Sequence, residues 1–261
     1  MNENASEGYI MKIMSFNLLC AGRGKRDWPF RAPLVIRTIR NAAPDTLGVQ
    51  EAHINWMKAL RSCLPEYDSI GIGRDDGKEA GEFSAVFYKK DKYELLDSGS
   101  FWLSETPEKP GKGWDAACIR ICSWAKLKEK ETGKEFVHLN THLDHVGLVA
   151  MQKGAELVAH RGSEIAQGNP AFFTGDFNVT PDSAPCKAVL AAGFADCRDI
   201  AVETDKGITF HGFNYPAYEG SVIDYVFARG EVTVKKFAVI RDTIDGDLPS
   251  DHFPVYAEVT F

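Results

Sequence analysis

Apolar positions along this chain recur at two spacings, every second residue or every third to fourth, and the switches between them predict the elements. MKIMSFNLL (11–19) has strand composition. PFRAPLVIRTIRNAA (29–43) carries apolar residues at helical spacing, with prolines near its start, and reads as a helix. DTLGVQEA (45–52) predicts a short buried strand and INWMKALRSCL (54–64) a helix. FSAVFYKK (83–90) and KYELLDSGSFWL (92–103) are strand-like. IRICSWAKLKEKETGKEFVHLNTHLDH (119–145) reads as two long strands around a turn at Thr132-Gly133. LVAMQKGAELVAHRGSEIAQ (148–167) predicts a helix ended by Gly168 and Pro170. AFFTGDFN (171–178) follows as a strand, DSAPCKAVLAAG (182–193) as a helix and GSVIDYVFA (220–228) as a strand. VTVKKFAVI (232–240) and FPVYAEVTF (253–261) close the chain as strands.

Strands joined by hairpins are thus mixed with strands followed by helices. That mixture predicts an α/β protein with two mixed sheets packed face to face and helices outside. A doubly wound parallel sheet would not need the long hairpin at 119–145. No low-complexity tract or linker interrupts the 261 residues, which can bury a sizeable core.

Charge and cysteine usage narrow the partners. The formal net charge is -7, with no long basic run, so strong binding to duplex DNA is not expected. None of the six cysteines forms a CxxC pair, and Cys118 and Cys122 fall in a segment that reads as a strand. Free buried thiols in a reducing compartment are expected. The first residues have no signal-peptide pattern, which predicts a cytoplasmic protein, or a periplasmic or secreted one if a signal has been removed. No segment is apolar for long enough to span a membrane.

Polar residues cluster at the ends of the apolar strands: Asn17, Glu51, His142 with Asp144, Asp176 with Asn178, Asp224, and Asp251 with His252. Each alone suits a turn or a cap. Asp224, inside VIDYVF, needs a partner if buried, and His252 is a good candidate. On an extended strand residues two apart share a face, so Asp176 and Asn178 can converge, as can His142 and Asp144. Gly175 lets a backbone or a ligand approach. These groups suit phosphoester hydrolysis. Glu51 would hold Mg²⁺, Asp176 would orient or deprotonate the attacking water, and Asn178 and His142 would stabilise phosphate oxygens.

The ordered series MSFNLL, LGVQE, NTHLDH, FFTGDFN, VIDYVFA and PSDHFPV resembles the endonuclease/exonuclease/phosphatase superfamily, from about residue 11 to 261. The resemblance implies a four-layer α/β/β/α sandwich of the DNase I type, with residues 1–10 as an N-terminal extension and one catalytic domain over 11–261. It implies Glu51 as main metal ligand with Asn17 and Asp251 close by, and Mg²⁺, with Mn²⁺ as a substitute, as the cofactor. It implies Asp176 and Asn178 acting on the water and phosphate, His142 on the scissile phosphate, and an Asp224–His252 dyad.

FWLSETPEKPGKGWDAACIRICSWAKL (101–127) looks like bacterial members near the CCR4 and nocturnin branch. Trp102, Trp114, Arg120, Asp144, His211 and Phe213 are expected on the substrate side, although packing explains the tryptophans equally well. Expected substrates are small phosphomonoesters, lipid or sugar phosphodiesters, or single-stranded RNA 3′ ends, acted on by a monomer. A dinuclear zinc HxHxDH site is approached by NTHLDH, but Asn140 replaces the first histidine. A silent binding protein of the same fold is the other rival, and the complete residue set argues against it.

Overall fold

The computed structural model describes residues 10–216 and 220–261. The expected extension at 1–10 therefore lies outside the described residues except for Ile10. The strands of the first half are β1 (Met11–Asn17), β2 (Thr46–Ala52), β3 (Tyr67–Ile70), β4 (Phe83–Lys89), β5 (Tyr93–Trp102), β6 (Ile121–Glu129) and β7 (Glu135–His142). Those of the second half are β8 (Ala171–Asp176), β9 (Ala195–Asp196), β10 (Glu203–Thr204), β11 (Asp224–Arg229), β12 (Thr233–Val239) and β13 (Val255–Thr260). The helices are α1 (Trp28–Ala42), α2 (Ile54–Cys63), α3 (Leu148–Ala166), α4 (Ala184–Ala191) and the short α5 (Cys197–Ile200).

Two mixed sheets form, with orders β10-β12-β13-β1-β2-β4-β3 and β5-β6-β7-β8-β11-β9. Strand alternation sorts their side chains into layers. Met11 and Ile13 of β1 join Phe136, Phe172, Val226 and Val255 between the sheets. Met14 and Phe16, one residue out of phase, pack outward with Ile39 of α1 and Trp56 and Met57 of α2. On the other side Leu139 and Phe173 pack with Val158 and Ala159 of α3 and Val189 of α4. The result is the expected four-layer α/β/β/α sandwich.

Three details depart from the sequence expectation. The short β3, β9, β10 and α5 had no clear periodicity. The strand expected over 220–228 begins only at Asp224, because Ser221 instead bridges Phe210. Cys118 lies in the loop before β6, so it does not share a strand with Cys122; all six cysteines are free.

Between the sheets, apolar packing gives way to a polar network toward one end. Gln50 Nε2 donates to Ser15 Oγ at 3.1 Å and to Asn140 Oδ1 at 2.6 Å. Asn140 Nδ2 donates to the carbonyls of Val49 and Ala85, crossing from one sheet to the other. Thr174 Oγ1 meets Asn140 Oδ1 at 3.0 Å and His138 Nε2 at 2.9 Å. These bonds fix the two sheets in register directly beneath the polar strand ends.

Gly48 permits the close approach. A Cβ there would stand 2.2 Å from Thr174 Oγ1 and 2.4 Å from Asn140 Oδ1. Gly48→Ala is expected to destabilise the fold by ~1–3 kcal/mol through overpacking. Urea unfolding checks this, and an unchanged midpoint would remove the network from the account.

Candidate active site

The site lies where β1, β2, β7, β8 and β11 end on one rim. Asn17, His142 and Asp176 are the last residues of β1, β7 and β8, and Asp224 is the first of the antiparallel β11. Direct pairings of His142 with Asp176 and of Asp224 with Asp176 bring three of them into one row.

Glu51 reaches the rim by a different device. Alternation after Gln50 would turn it outward. Instead its φ is 57° and the β2–β4 register shifts between Val49 and Ala52. A non-glycine residue in the left-handed region is strained, typically by ~1–3 kcal/mol, and here the bulge re-aims a carboxylate. Cys20 N donates to Glu51 Oε2 at 2.9 Å and Asn17 Nδ2 to Oε1 at 3.0 Å. Burial would raise the Glu51 carboxyl, but these bonds and the His252 charge hold it below its usual value.

Asn17 differs from the expectation. Its Oδ1 accepts from Leu19 N at 2.9 Å, and its amide group bridges Glu51 and Asp176 Oδ2 (2.8 Å). It therefore presents donors to the two carboxylates, and its oxygen is already engaged by one backbone N–H. Glu51, His142 and Asp176 each offer a ligand atom within 4.8 Å of the others, and Asp251 is close enough for the Glu51 charge to raise its carboxyl, after burial. Carboxylate oxygens in this number fit a hard divalent cation that keeps several waters.

Asp176 and Asn178 do converge, but not along a strand. β8 ends at Asp176, and Asn178 sits at φ 55°, in the left-handed region that asparagine tolerates. Its backbone N–H donates to Asp176 Oδ1 at 2.9 Å. Its amide lies 3.0 Å from His142 Nε2 and donates to Leu143 O. Asp176 is pushed up to about 7, first by burial and then by Asp224. His142 stays neutral, because burial and then the neighbouring Arg120 charge push it well down.

His252 Nδ1 stands 2.9 Å from Asp224 Oδ2, and its Nε2 faces Asp176 Oδ2 at 3.7 Å. Burial alone would lower the imidazolium; the Asp224 carboxylate, with Asp176 and Asp251 beyond it, outweighs burial and pushes it up to about 10. The unfolded value is about 6.5, so this ion pair stabilises fully below about pH 6.5 and its contribution is lost as pH rises through about 10. Urea unfolding is expected to show a larger stability loss between about pH 7 and about pH 10 in the wild type than in His252→Gln. Equal losses would contradict a charged His252.

The substrate-side expectations fare unevenly. Asp144 lies past the end of β7, with Oδ1 3.8 Å from Arg120 Nε. Its oxygens accept from the N–H groups of Ala117, Cys118, Val146 and Gly147, holding two loops together. Burial would raise this carboxyl, but the four donors hold it down at about 2. Trp102 is buried, its Nε1 donating to Arg74 O at 2.6 Å, so it packs under the loop. Trp114 is half-buried, and its backbone N–H donates to Glu105. His211 is buried, its ring tilted 34° against that of Phe253 with centroids 4.1 Å apart, and its backbone N–H donates to Asp251 O. It orders the loop beside Asp251. Phe213 carries Arg26 over its ring at 4.7 Å.

Two further residues belong to the site. Glu82, entering β4, stands 3.8 Å from His142 Nδ1 and 2.6 Å from Arg74. Burial raises its carboxyl. Arg31 of α1 is fully buried and donates to the carbonyls of Leu18, Leu19 and Pro249, pinning the loops that carry Asn17 and Asp251. Both were visible in the sequence as charges inside apolar patterns, GEFSAV and PFRAPLVI.

A family model described as "Endonuclease/Exonuclease/phosphatase family" matches residues 14–252. The chain belongs to the endonuclease/exonuclease/phosphatase family, a family of phosphate-ester hydrolases. A crystal structure of a family protein from Bacteroides thetaiotaomicron is 37% identical, with a TM-score of 0.92 over 98% of this chain and 96% of that one. A mannosyl-6-phosphatase from the same organism is 37% identical, with a TM-score of 0.89 over 96% of this chain and 100% of that one. Drosophila melanogaster nocturnin is 24% identical over 204 residues, 67% of this chain and 30% of that protein. The chain spans less than half the length of the curated relatives it matches. Enzymes of this family generally depend on a divalent metal, and the carboxylates around Glu51 suit one. Among the described residues no helix is long and apolar enough to cross a membrane.

Proposed function

We propose that this chain is a Mg²⁺-dependent phosphomonoesterase acting on small polar phosphates of the sugar-phosphate class. The observation that carries this reading is Arg120. It is buried at 5% exposure, and its Nε and Nη1 have no hydrogen-bond partner among the described residues. Arg120 Nη1 and His142 Nδ1 both lie 3.8 Å from the same Glu82 oxygen, so this charge stands beside the phosphate position. A monoester is a dianion, and a guanidinium that faces Glu82 and Asp144 only at 3.8 Å keeps N–H groups for its extra charge. The resemblance to a mannosyl-6-phosphatase over nearly the whole chain supports the same class.

In this reading Glu51 and Asp251 would hold the cation, with an Asp176 oxygen facing them. A bound Mg²⁺ supplies neutralisation of phosphate oxygens and of developing charge. Asp176 accepts the proton of the attacking water. Asn17 and Asn178 donate to the Asp176 carboxylate and fix its direction. The Asn178 amide orients His142 at Nε2, and the ring's Nδ1, unpartnered among the described residues, donates to a phosphate oxygen. His252 is charged near neutrality, so it donates from Nε2 and is not the base; Asp224 accepts from Nδ1, fixing the ring's orientation and holding its charge.

The test is release of inorganic phosphate from mannose 6-phosphate and glucose 6-phosphate, beside bis-p-nitrophenyl phosphate and oligo(A), with Mg²⁺ and with EDTA. A sugar phosphate is expected to win by at least ~10-fold in kcat/KM, with no turnover in EDTA. Preference for oligo(A) would replace this reading with a 3′–5′ exoribonuclease. Full turnover in EDTA would remove the metal from the mechanism.

A further inference from the structure

Next to Glu51, outside the row of strand-end carboxylates, the loop after β1, the start of α2 and the head of β4 bring three unlike ligands together. We propose that Cys20, His53 and Glu82 form a second cation site of the borderline-soft, zinc-binding type. Their ligand atoms all lie within 4.8 Å of one another. In a tetrahedral zinc site, bond lengths of about 2.0–2.3 Å put ligand atoms roughly 3.3–3.6 Å apart. Side-chain rotation of about 1 Å closes the difference. Thiolate, imidazole and carboxylate together select zinc-like ions over Mg²⁺. The thiol proton leaves to solvent on binding, and thiolate and carboxylate then balance the two charges of the ion.

His53 and Glu82 have spare capacity, whereas the Cys20 thiol leans on Glu51 and must turn from it to bind. His53 caps the start of α2 without using its side chain for the cap. Arg74, Arg120 and His142 all approach Oε2 of Glu82, which leaves Oε1 for the ion. His53 is exposed and Cys20 and Glu82 are half-buried, so an ion can enter from solvent. A comparable trio, Cys118, Asp144 and His145, lacks this capacity. Four backbone N–H groups already occupy the Asp144 oxygens, and Arg120 Nη2 stands 3.3 Å from His145 Nδ1.

The site shares a wall with the main centre, because the backbone N–H of Cys20 holds Glu51.

The test is titration of the Mg²⁺-saturated protein with Co²⁺, read by thiolate-to-metal charge-transfer absorption, a signal independent of activity and of the substrate class. One equivalent is expected to raise the band in the wild type and in Cys118→Ser. Cys20→Ser is expected to abolish it, and His53→Ala to weaken Co²⁺ binding by at least ~10-fold. Thermal melts establish that each variant is folded. Absence of the band in wild type, or its survival in Cys20→Ser, would overturn the proposal.

Discussion

Asp176→Asn is expected to lower kcat by ~10²–10⁴ while leaving the fold intact. The substitution keeps the shape of the side chain, so packing at the end of β8 is preserved. What it removes is the carboxylate that accepts from both Asn17 Nδ2 and Asn178 N while facing His142 and His252. The amide cannot accept at both ends, so one of the two donors loses its partner. It also has no capacity to take a proton from water. Stability moves little, because two effects oppose. A donor is orphaned, yet the repulsion of Asp224 that raises Asp176 disappears. Phosphate release in Mg²⁺, paired with a thermal melt, separates chemistry from folding. A folded variant within about threefold of the wild-type rate would refute Asp176 as the base.

How far these residues were legible in the sequence depends on how each reaches the rim. Asn17, His142 and Asp176 end strands whose alternation is plain, and every second residue before them is also polar: Ser15, then His138 with Asn140, then Thr174. That gradient along one face marks both the inter-sheet network and the catalytic end. Glu51 and Asn178 arrive through left-handed backbone, which alternation cannot foresee. The same argument fails for Asp144, because the strand has ended and its carboxylate serves the neighbouring loops. Trp102 and His211 show the limit from the other side. An aromatic ring can stack on a substrate or on the core, and only the tertiary packing decides. The sandwich itself followed from hairpins mixed with strand–helix units, whereas two-residue strands such as β9 and β10 are defined by their neighbours alone.

His252→Ala is expected to cost both turnover and stability, and the second loss identifies the dyad. Asp224 is 1% exposed, its Oδ2 accepts from His252 Nδ1, and its Oδ1 has no partner. Removing the imidazole strands a buried carboxylate, which typically costs ~3–5 kcal/mol. Turnover falls by ~10² or more, because the charged donor aimed at the phosphate is gone. Adding Asp224→Asn to His252→Ala removes the stranded charge. Stability should then recover substantially, while activity does not. The two substitutions therefore couple strongly in stability, with a double-mutant interaction of ~1–3 kcal/mol expected from a buried contact pair. Urea unfolding of the wild type, both single variants and the double variant measures that term. Additive losses would mean that Asp224 is stabilised by something other than His252, and the orientation and charge assigned to the ring would lose their basis.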